Sequence, residues 1–248
     1  MTRQLDDKVA LVTGASSGIG EATAIALAEQ GAAVVIAARR TDRLESLRGK
    51  LSDDGARVLA VELDVADQAA CAAAVESTVE EFGGLDILVN NAGVMLLGPI
   101  VGADTTDWDR MIQTNVLGLM YMTDAALPHL IERRGHLIQV SSVAGRVPSR
   151  GAGVYNASKF AVNAFSESLR QEITQRGVRV TLVEPGIVAT ELRDHITNEA
   201  AKNSVNARAA EMRQLQSADI AAAIVYAATQ PDHVAVNEIL VRPTDQGW

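Results

Sequence analysis

From Lys8 onward the chain alternates short apolar runs with longer amphipathic ones, and this alternation limits the fold more than any other property. The apolar runs are Val9–Thr13, Ala33–Ala38, Val58–Leu63, Leu85–Val89, His136–Val140, Val178–Val183 and Glu238–Val241. Their continuous Val, Ile, Leu and Ala content suits strands buried on both faces rather than on one. Helical patterns fill most gaps: one to about Gly31, a charged one broken by Gly55, and one over Asp67–Phe82. Others follow at about Thr106–Arg133 (with Pro128 predicting a kink near its end), Tyr155–Arg176 and Asp219–Thr229. Seven strands separated by helices predict a mostly parallel sheet with right-handed crossovers and helices on both faces, a doubly wound α/β fold. No linker or composition shift divides the 248 residues, so one domain spanning 1–248 is expected. Aromatic residues are only 3% against 48% hydrophobic overall, which favours close-packed helices on a sheet over an aromatic-rich sandwich.

Other classes are disfavoured. A net charge of -9 argues against nucleic acid as partner, since phosphate-backbone binding needs clustered Lys and Arg. The single Cys71 forms no intramolecular disulfide and no cysteine zinc site, and reads as a small buried hydrophobe. The four histidines lack ligand spacing, so no metal is expected; His129 and His136 flank a helix end and read as surface residues. Met1–Lys8 lacks an apolar core, and no run approaches the ~18 apolar residues of a membrane span. A soluble cytoplasmic protein is the expectation.

Gly14-Ala15-Ser16-Ser17-Gly18-Ile19-Gly20 lies between the first strand and the first helix. Glycines there let backbone approach a pyrophosphate, and the helix N-terminus offers free N–H groups and a positive dipole end. The spacing is G-x-x-x-G-x-G, neither G-x-G-x-x-G nor a Walker loop. The same residues match G-x-S-x-G, the nucleophile elbow of hydrolases, with His233 as a late partner for Ser16. That elbow needs an earlier strand and loop for its oxyanion hole, and too few residues precede this turn. At the end of the second strand, an acidic residue would accept from a ribose 2′-hydroxyl; this chain has Arg39-Arg40. Guanidinium groups suit a 2′-phosphate, so NADP(H) is predicted over NAD(H).

Tyr155 and Lys159 fall four residues apart, on one face of a helix. A nearby ammonium favours the phenolate, so Lys159 is expected to lower the Tyr155 pKa and equip it for proton transfer. The spacing also fits a solvated helix face. Asp64-Val65, Asn90-Asn91-Ala92-Gly93, Ser141-Ser142 and Pro185–Thr190 follow strands, where a doubly wound sheet opens onto its ligand crevice. Asn115 lies within the long Thr106–Arg133 helix.

With these motifs in order, the chain resembles the short-chain dehydrogenase/reductase family over essentially its whole length. The resemblance implies a three-layer Rossmann fold with sheet order 3-2-1-4-5-6-7. It implies that Gly14, Ser16, Ser17, Gly18, Ile19 and Gly20 form the cofactor turn and that Arg39, with Arg40 beside it, faces the 2′-phosphate. Asp64 and Val65 would contact adenine, Asn90, Ala92 and Gly93 the adenosine ribose segment, and Pro185, Gly186, Ile187 and Thr190 the carboxamide side of nicotinamide. Asn115, Ser142, Tyr155 and Lys159 would be the catalytic tetrad. In it Tyr155 donates a proton, Ser142 orients the carbonyl, Lys159 also holds the nicotinamide ribose, and Asn115 holds a relay water. A homotetramer built on the two long helices and the last strand is also implied.

The pattern breaks after Pro185-Gly186, and residues 190–215 fall where the family has its substrate lid. Leu192, His195, Met95 and Val154, with Arg146 and Arg150 in the loop after Ser142, are the candidate substrate contacts. The two arginines suggest an acidic substrate. Val94–Pro99, Asp104–Trp108, Leu119–Thr123 and Arg242–Gln246 resemble the clavulanate (clavaldehyde) dehydrogenase branch, which reduces a β-lactam aldehyde in antibiotic biosynthesis. The tail also resembles NADP-dependent 3-hydroxy acid and serine dehydrogenases. A non-catalytic NADP sensor is the alternative of another class; a sugar-nucleotide epimerase would need a second domain.

Overall fold

A computed structural model describes residues 3–247. The strands are β1 (Val9–Thr13), β2 (Ala33–Ala38), β3 (Val58–Glu62), β4 (Ile87–Asn90), β5 (His136–Val140), β6 (Arg179–Pro185) and β7 (Glu238–Val241). They form one sheet in the order β3-β2-β1-β4-β5-β6-β7. All six neighbouring pairs are parallel, so every strand ends on the same edge. Every residue of β1, β2, β4 and β5 is buried, which is why these strands read as mainly apolar runs without the alternation of a half-exposed strand.

The helices are α1 (Gly18–Glu29), α2 (Thr41–Asp53), α3 (Gln68–Phe82), α4 (Thr105–Ile112), α5 (Leu119–Arg133), α6 (Gly153–Ile173), α7 (Glu199–Ala210) and α8 (Ser217–Ala228). One core layer gathers Val12, Leu27, Val34, Ile36, Leu44 and Ile220. The opposite layer gathers Leu11, Val35, Leu85, Leu88, Met122 and Leu137, giving helix–sheet–helix packing with a core on each face.

Three details depart from the sequence expectations. Thr106–Arg133 is not one uniform helix: a π-helical stretch, Gln113–Gly118, separates α4 from α5. Residues after Pro185-Gly186 are not wholly irregular, because Glu199–Ala210 forms α7, capped by the Asn198 side chain on Ala201 N–H at 3.0 Å. His136 is not a surface residue. It is the first residue of β5 and only 1% exposed. No described helix is long and apolar enough to cross a membrane.

Candidate active site

The C-terminal ends of the strands open onto a cleft of about 1290 Å³, running from the glycine turn to Tyr155. Its floor is tied together by polar contacts that leave little freedom. Thr13 Oγ1, at the end of β1, accepts from Asn91 and Ala92 N–H at 3.0 and 3.1 Å. Asn91 Nδ2 donates to the Thr13 carbonyl at 2.9 Å. Gly14, at φ +66°, takes the left-handed conformation that opens the turn, and a Cβ there would lie 2.9 Å from Ala92 Cα.

Gly14, Ser16, Ser17, Gly18 and Ile19 border the cleft. Gly20 does not. A Cβ at Gly20 would meet the Gly14 carbonyl oxygen at 2.3 Å, so this glycine serves the close approach of α1 to the turn. Ser17 is the N-cap of α1 but makes no side-chain cap bond, which leaves the first N–H groups of that helix available to an anion. Arg40 reaches over the turn: Nη2 donates to Ser17 Oγ at 2.7 Å, and Nε and Nη2 to Ser16 Oγ at 3.1 and 3.0 Å. Arg39 is more exposed and lies 3.8 Å from the Asp64 carboxylate. The cleft volume, the uncapped helix end and the paired arginines fit a phosphorylated dinucleotide.

Further along, Asp64, Val65, Ala92 and Gly93 border the cleft, and Asn90 does not. Asn90 is buried and its Nδ2 donates to Thr123 Oγ1 at 3.0 Å, away from the opening. Asn115 is held by its side chain from within the π stretch. Its side chain is buried and spent on protein: Oδ1 accepts from Val94 N–H at 2.8 Å, and Nδ2 donates to the Val94 carbonyl at 2.9 Å and to Ser158 Oγ at 3.1 Å. The amide thereby clamps the loop after β4 to the π stretch.

At the far end Tyr155 and Lys159 sit on α6 with Ser142 opposite. Lys159 Nζ donates to the Val140 carbonyl at 3.0 Å and lies 6.0 Å from the Tyr155 ring centre. Ser142 Oγ accepts from Ala144 N–H at 3.1 Å and donates to the Pro185 carbonyl at 3.4 Å. Burial pushes the phenol pKa up, and the Ser142 hydroxyl opposes that only in part; burial also pushes the Lys159 ammonium down to about 8. Burial therefore sets the net direction for Tyr155, which rises rather than falls as expected from the Lys159 spacing.

Pro185, Gly186, Ile187 and Thr190 line the same cleft, and Gln246, which the sequence did not mark as a site residue, joins them. Gln246 Oε1 accepts from Ile187 N–H at 3.0 Å from 59 positions away, a separation no local pattern reports. Met95, Arg150, Leu192 and His195 also line the cleft. Arg146 does not join them. Its Nε donates to the wholly buried Glu184 carboxylate at 2.6 Å and its Nη2 pairs with Glu238, so its partners lie on β6 and β7. Val154 packs instead with Leu96, Met111 and Trp108 beside the cleft. Sequence reasoning also missed Glu191 and Arg43. Glu191 pairs with Arg40 and Arg43 at 2.9 and 2.8 Å, and only the fold brings these charges together.

The family model for short chain dehydrogenases matches residues 8–201. The chain belongs to that family. Short chain dehydrogenases are NAD(P)-dependent oxidoreductases, and this chain is one of them. An oxidoreductase of Staphylococcus aureus is 41% identical over 240 residues, covering 96% of this chain and 98% of that one. A glycine betaine reductase of Emericella nidulans is 44% identical over 244 residues, 98% of this chain; the chain spans 19% of that longer protein. Among solved structures, the closed form of a serine dehydrogenase complexed with NADP+ superposes with a TM-score of 0.88 at 37% identity, covering 97% and 96% of the two chains. A short chain dehydrogenase/reductase from Burkholderia phymatum in complex with NAD gives 0.86 at 29% identity, covering 96% and 89%.

Proposed function

We propose that the protein reduces an aldehyde or ketone to an alcohol with NADPH, and that Tyr155 supplies the proton. The observation that carries this reading is the convergence of Tyr155, Ser142 and Lys159 on one cleft whose other end holds Arg40 over the glycine turn. When bound, the nicotinamide cofactor supplies the hydride. Everything else falls to this chain. The Tyr155 hydroxyl gives its proton to the carbonyl oxygen, and Ser142 Oγ donates to the same oxygen and sets its orientation. Burial keeps Tyr155 a phenol at neutral pH, the form a donor needs. Lys159, a charged neighbour, steadies the phenolate that remains until it is reprotonated from solvent. Arg39 and Arg40 would hold the 2′-phosphate, and Ile187 and Thr190 the carboxamide end. Met95, Leu97, Val143, Val147 and Leu192 supply an apolar wall, and Arg150 stands at the rim for a substrate acid group. Residues 190–215 would act as the lid over that wall.

A second reading keeps the site and reverses the usual direction: oxidation of a 3-hydroxy acid or serine-type substrate. The 37% identity to the NADP+-bound serine dehydrogenase favours it over the clavaldehyde-type substrate suggested by the Val94–Pro99 run. Assembly as a cytoplasmic homotetramer is also proposed, on the exposed Ile112 and Phe160 of the long helices and Tyr226 and Leu240 near the last strand.

The test is a panel of acidic and neutral aldehydes, ketones and 3-hydroxy acids, followed by the absorbance of reduced cofactor. Turnover of at least one class is expected. Tyr155→Phe should lower kcat by at least about a hundredfold while changing NADPH affinity less than threefold. Retention of more than a few per cent of the wild-type rate removes Tyr155 from the proton path. NADPH binding with no turnover across the whole panel would favour a sensor.

A further inference from the structure

Glu191 follows Thr190 and opens a short 3-10 helix, Glu191–His195, beyond the Pro185-Gly186 turn. Its carboxylate crosses the cleft mouth to α2 and meets two guanidinium groups. Oε2 lies 2.9 Å from Arg40 Nη1, and Oε1 and Oε2 lie 2.8 and 2.9 Å from Arg43 Nη1. The same Arg40 spends its other nitrogens on Ser16 and Ser17 of the glycine turn. The carboxylate thus lies among the groups that would receive a ribose 2′-phosphate: two hydroxyls of the turn and the arginines after β2. All three charged side chains are well exposed, at 36%, 43% and 42%, so solvent screens the pairs and a stronger anion can displace them. A phosphate carries about two charges and three acceptor oxygens against one charge and two oxygens on Glu191. An anion at this place is well supported, since the two arginines hold the Glu191 pKa down at about 2.

We propose that Glu191 is the resident counter-ion of the 2′-phosphate subsite, which the phosphate must displace, so that Glu191 tempers the preference for phosphorylated cofactor. The inference rests on the NADP(H) reading above. Glu191 bridges Arg40 and Arg43 when no phosphate is there, keeping both guanidinium groups gathered over the turn. The same carboxylate repels the incoming phosphate until it swings away. Unphosphorylated dinucleotide leaves the bridge intact and gains nothing from its removal.

The experiment measures the dissociation constants of NADPH, NADH and 2′,5′-ADP by titration calorimetry for the wild type and Glu191→Gln, at low and high salt. The variant sits at an exposed position, and its melting temperature reports that it is folded. The inference expects NADPH and 2′,5′-ADP to bind about three- to tenfold more tightly to the variant, with NADH changing less than twofold. The gain should shrink as salt rises. Unchanged or weaker 2′,5′-ADP binding overturns it, because Glu191 would then be a brace for Arg40 rather than a competitor. A wild type that prefers NADH over NADPH would sink the cofactor reading, and the 2′,5′-ADP arm still decides the role of Glu191.

Discussion

Burial acts on Tyr155 and Lys159 in the same electrostatic sense and with opposite titration results. In both it disfavours the charged form, so the phenol pKa rises and that of the ammonium falls to about 8. At pH 7 the pair is therefore a neutral phenol beside a mostly charged ammonium, the combination that carbonyl reduction requires. Raising the pH removes the ammonium first. We expect kcat for reduction to hold level from about pH 6 to 7.5 and to fall as pH rises through about 8. Alcohol oxidation, which needs the phenolate, should climb over the same range. Initial rates in both directions between pH 6 and 10 check this; a reductive rate still level at pH 9.5 would mean that the Lys159 charge is not needed. Arg146 teaches the complementary lesson at this scale. By sequence it stands beside Arg150 as a free cation near Ser142, and in the fold its charge is spent on Glu184, a buried residue of β6. Residue type and neighbourhood were legible there; pairing was not.

Elements differ in how openly the sequence announces them, and the reason is packing. Strands buried on both faces are mostly apolar, so β1, β2 and β5 are readable to the residue even with His136 and Gln139 inside β5. A π stretch of 6 residues is too short to display a period of its own, so Gln113–Gly118 is hidden within Thr105–Arg133, and with it the clamp that Asn115 closes on Val94. The α7 helix buries only Ala209 among the residues of its span, so no apolar stripe marks it. Glycines separate in the same way by what surrounds them. Gly20 and Gly49 both lie in helices and look alike in sequence. A Cβ at Gly20 would press on the Gly14 carbonyl at 2.3 Å, whereas one at Gly49 would meet nothing within 4 Å. Gly20→Ala is expected to destabilise the protein by about 2–3 kcal/mol and to weaken cofactor binding, because α1 must move off the turn. Gly49→Ala should stabilise it by roughly 0.5–1 kcal/mol through helix propensity alone. Urea unfolding of both variants is the check, and equal shifts of the same sign would contradict this account.

The whole molecule is acidic, and its stability towards acid is set by groups that must change protonation when the chain unfolds. The largest of these is internal. His136 opens β5 at 1% exposure, with Nε2 2.7 Å from Thr181 Oγ1. Thr181 Oγ1 itself donates to the Val236 carbonyl, so it accepts from His136, which assigns the proton of the neutral ring to Nε2. Nδ1 has no partner, and a second proton there would be buried without an acceptor. Burial, aided by the Arg179 charge, accordingly pushes the His136 pKa down to about 3. Between that value and the ordinary ~6.5 of an unfolded histidine the unfolded chain binds one more proton, so stability falls as the pH drops through this window. At pH 5 the loss is about 2 kcal/mol relative to pH 7.5, a figure fixed by the unfolded value as long as the folded one lies well below 5. The exposed carboxylates Glu167 and Glu191, held down at about 2 by arginines, act in the same direction only below about pH 4.5 and are screened by solvent. His136→Gln can keep a donor towards Thr181 and cannot titrate. Urea midpoints at pH 7.5, 6 and 5 should therefore fall steeply for the wild type and nearly level for the variant, while parallel curves would assign the acid sensitivity to the surface charges instead.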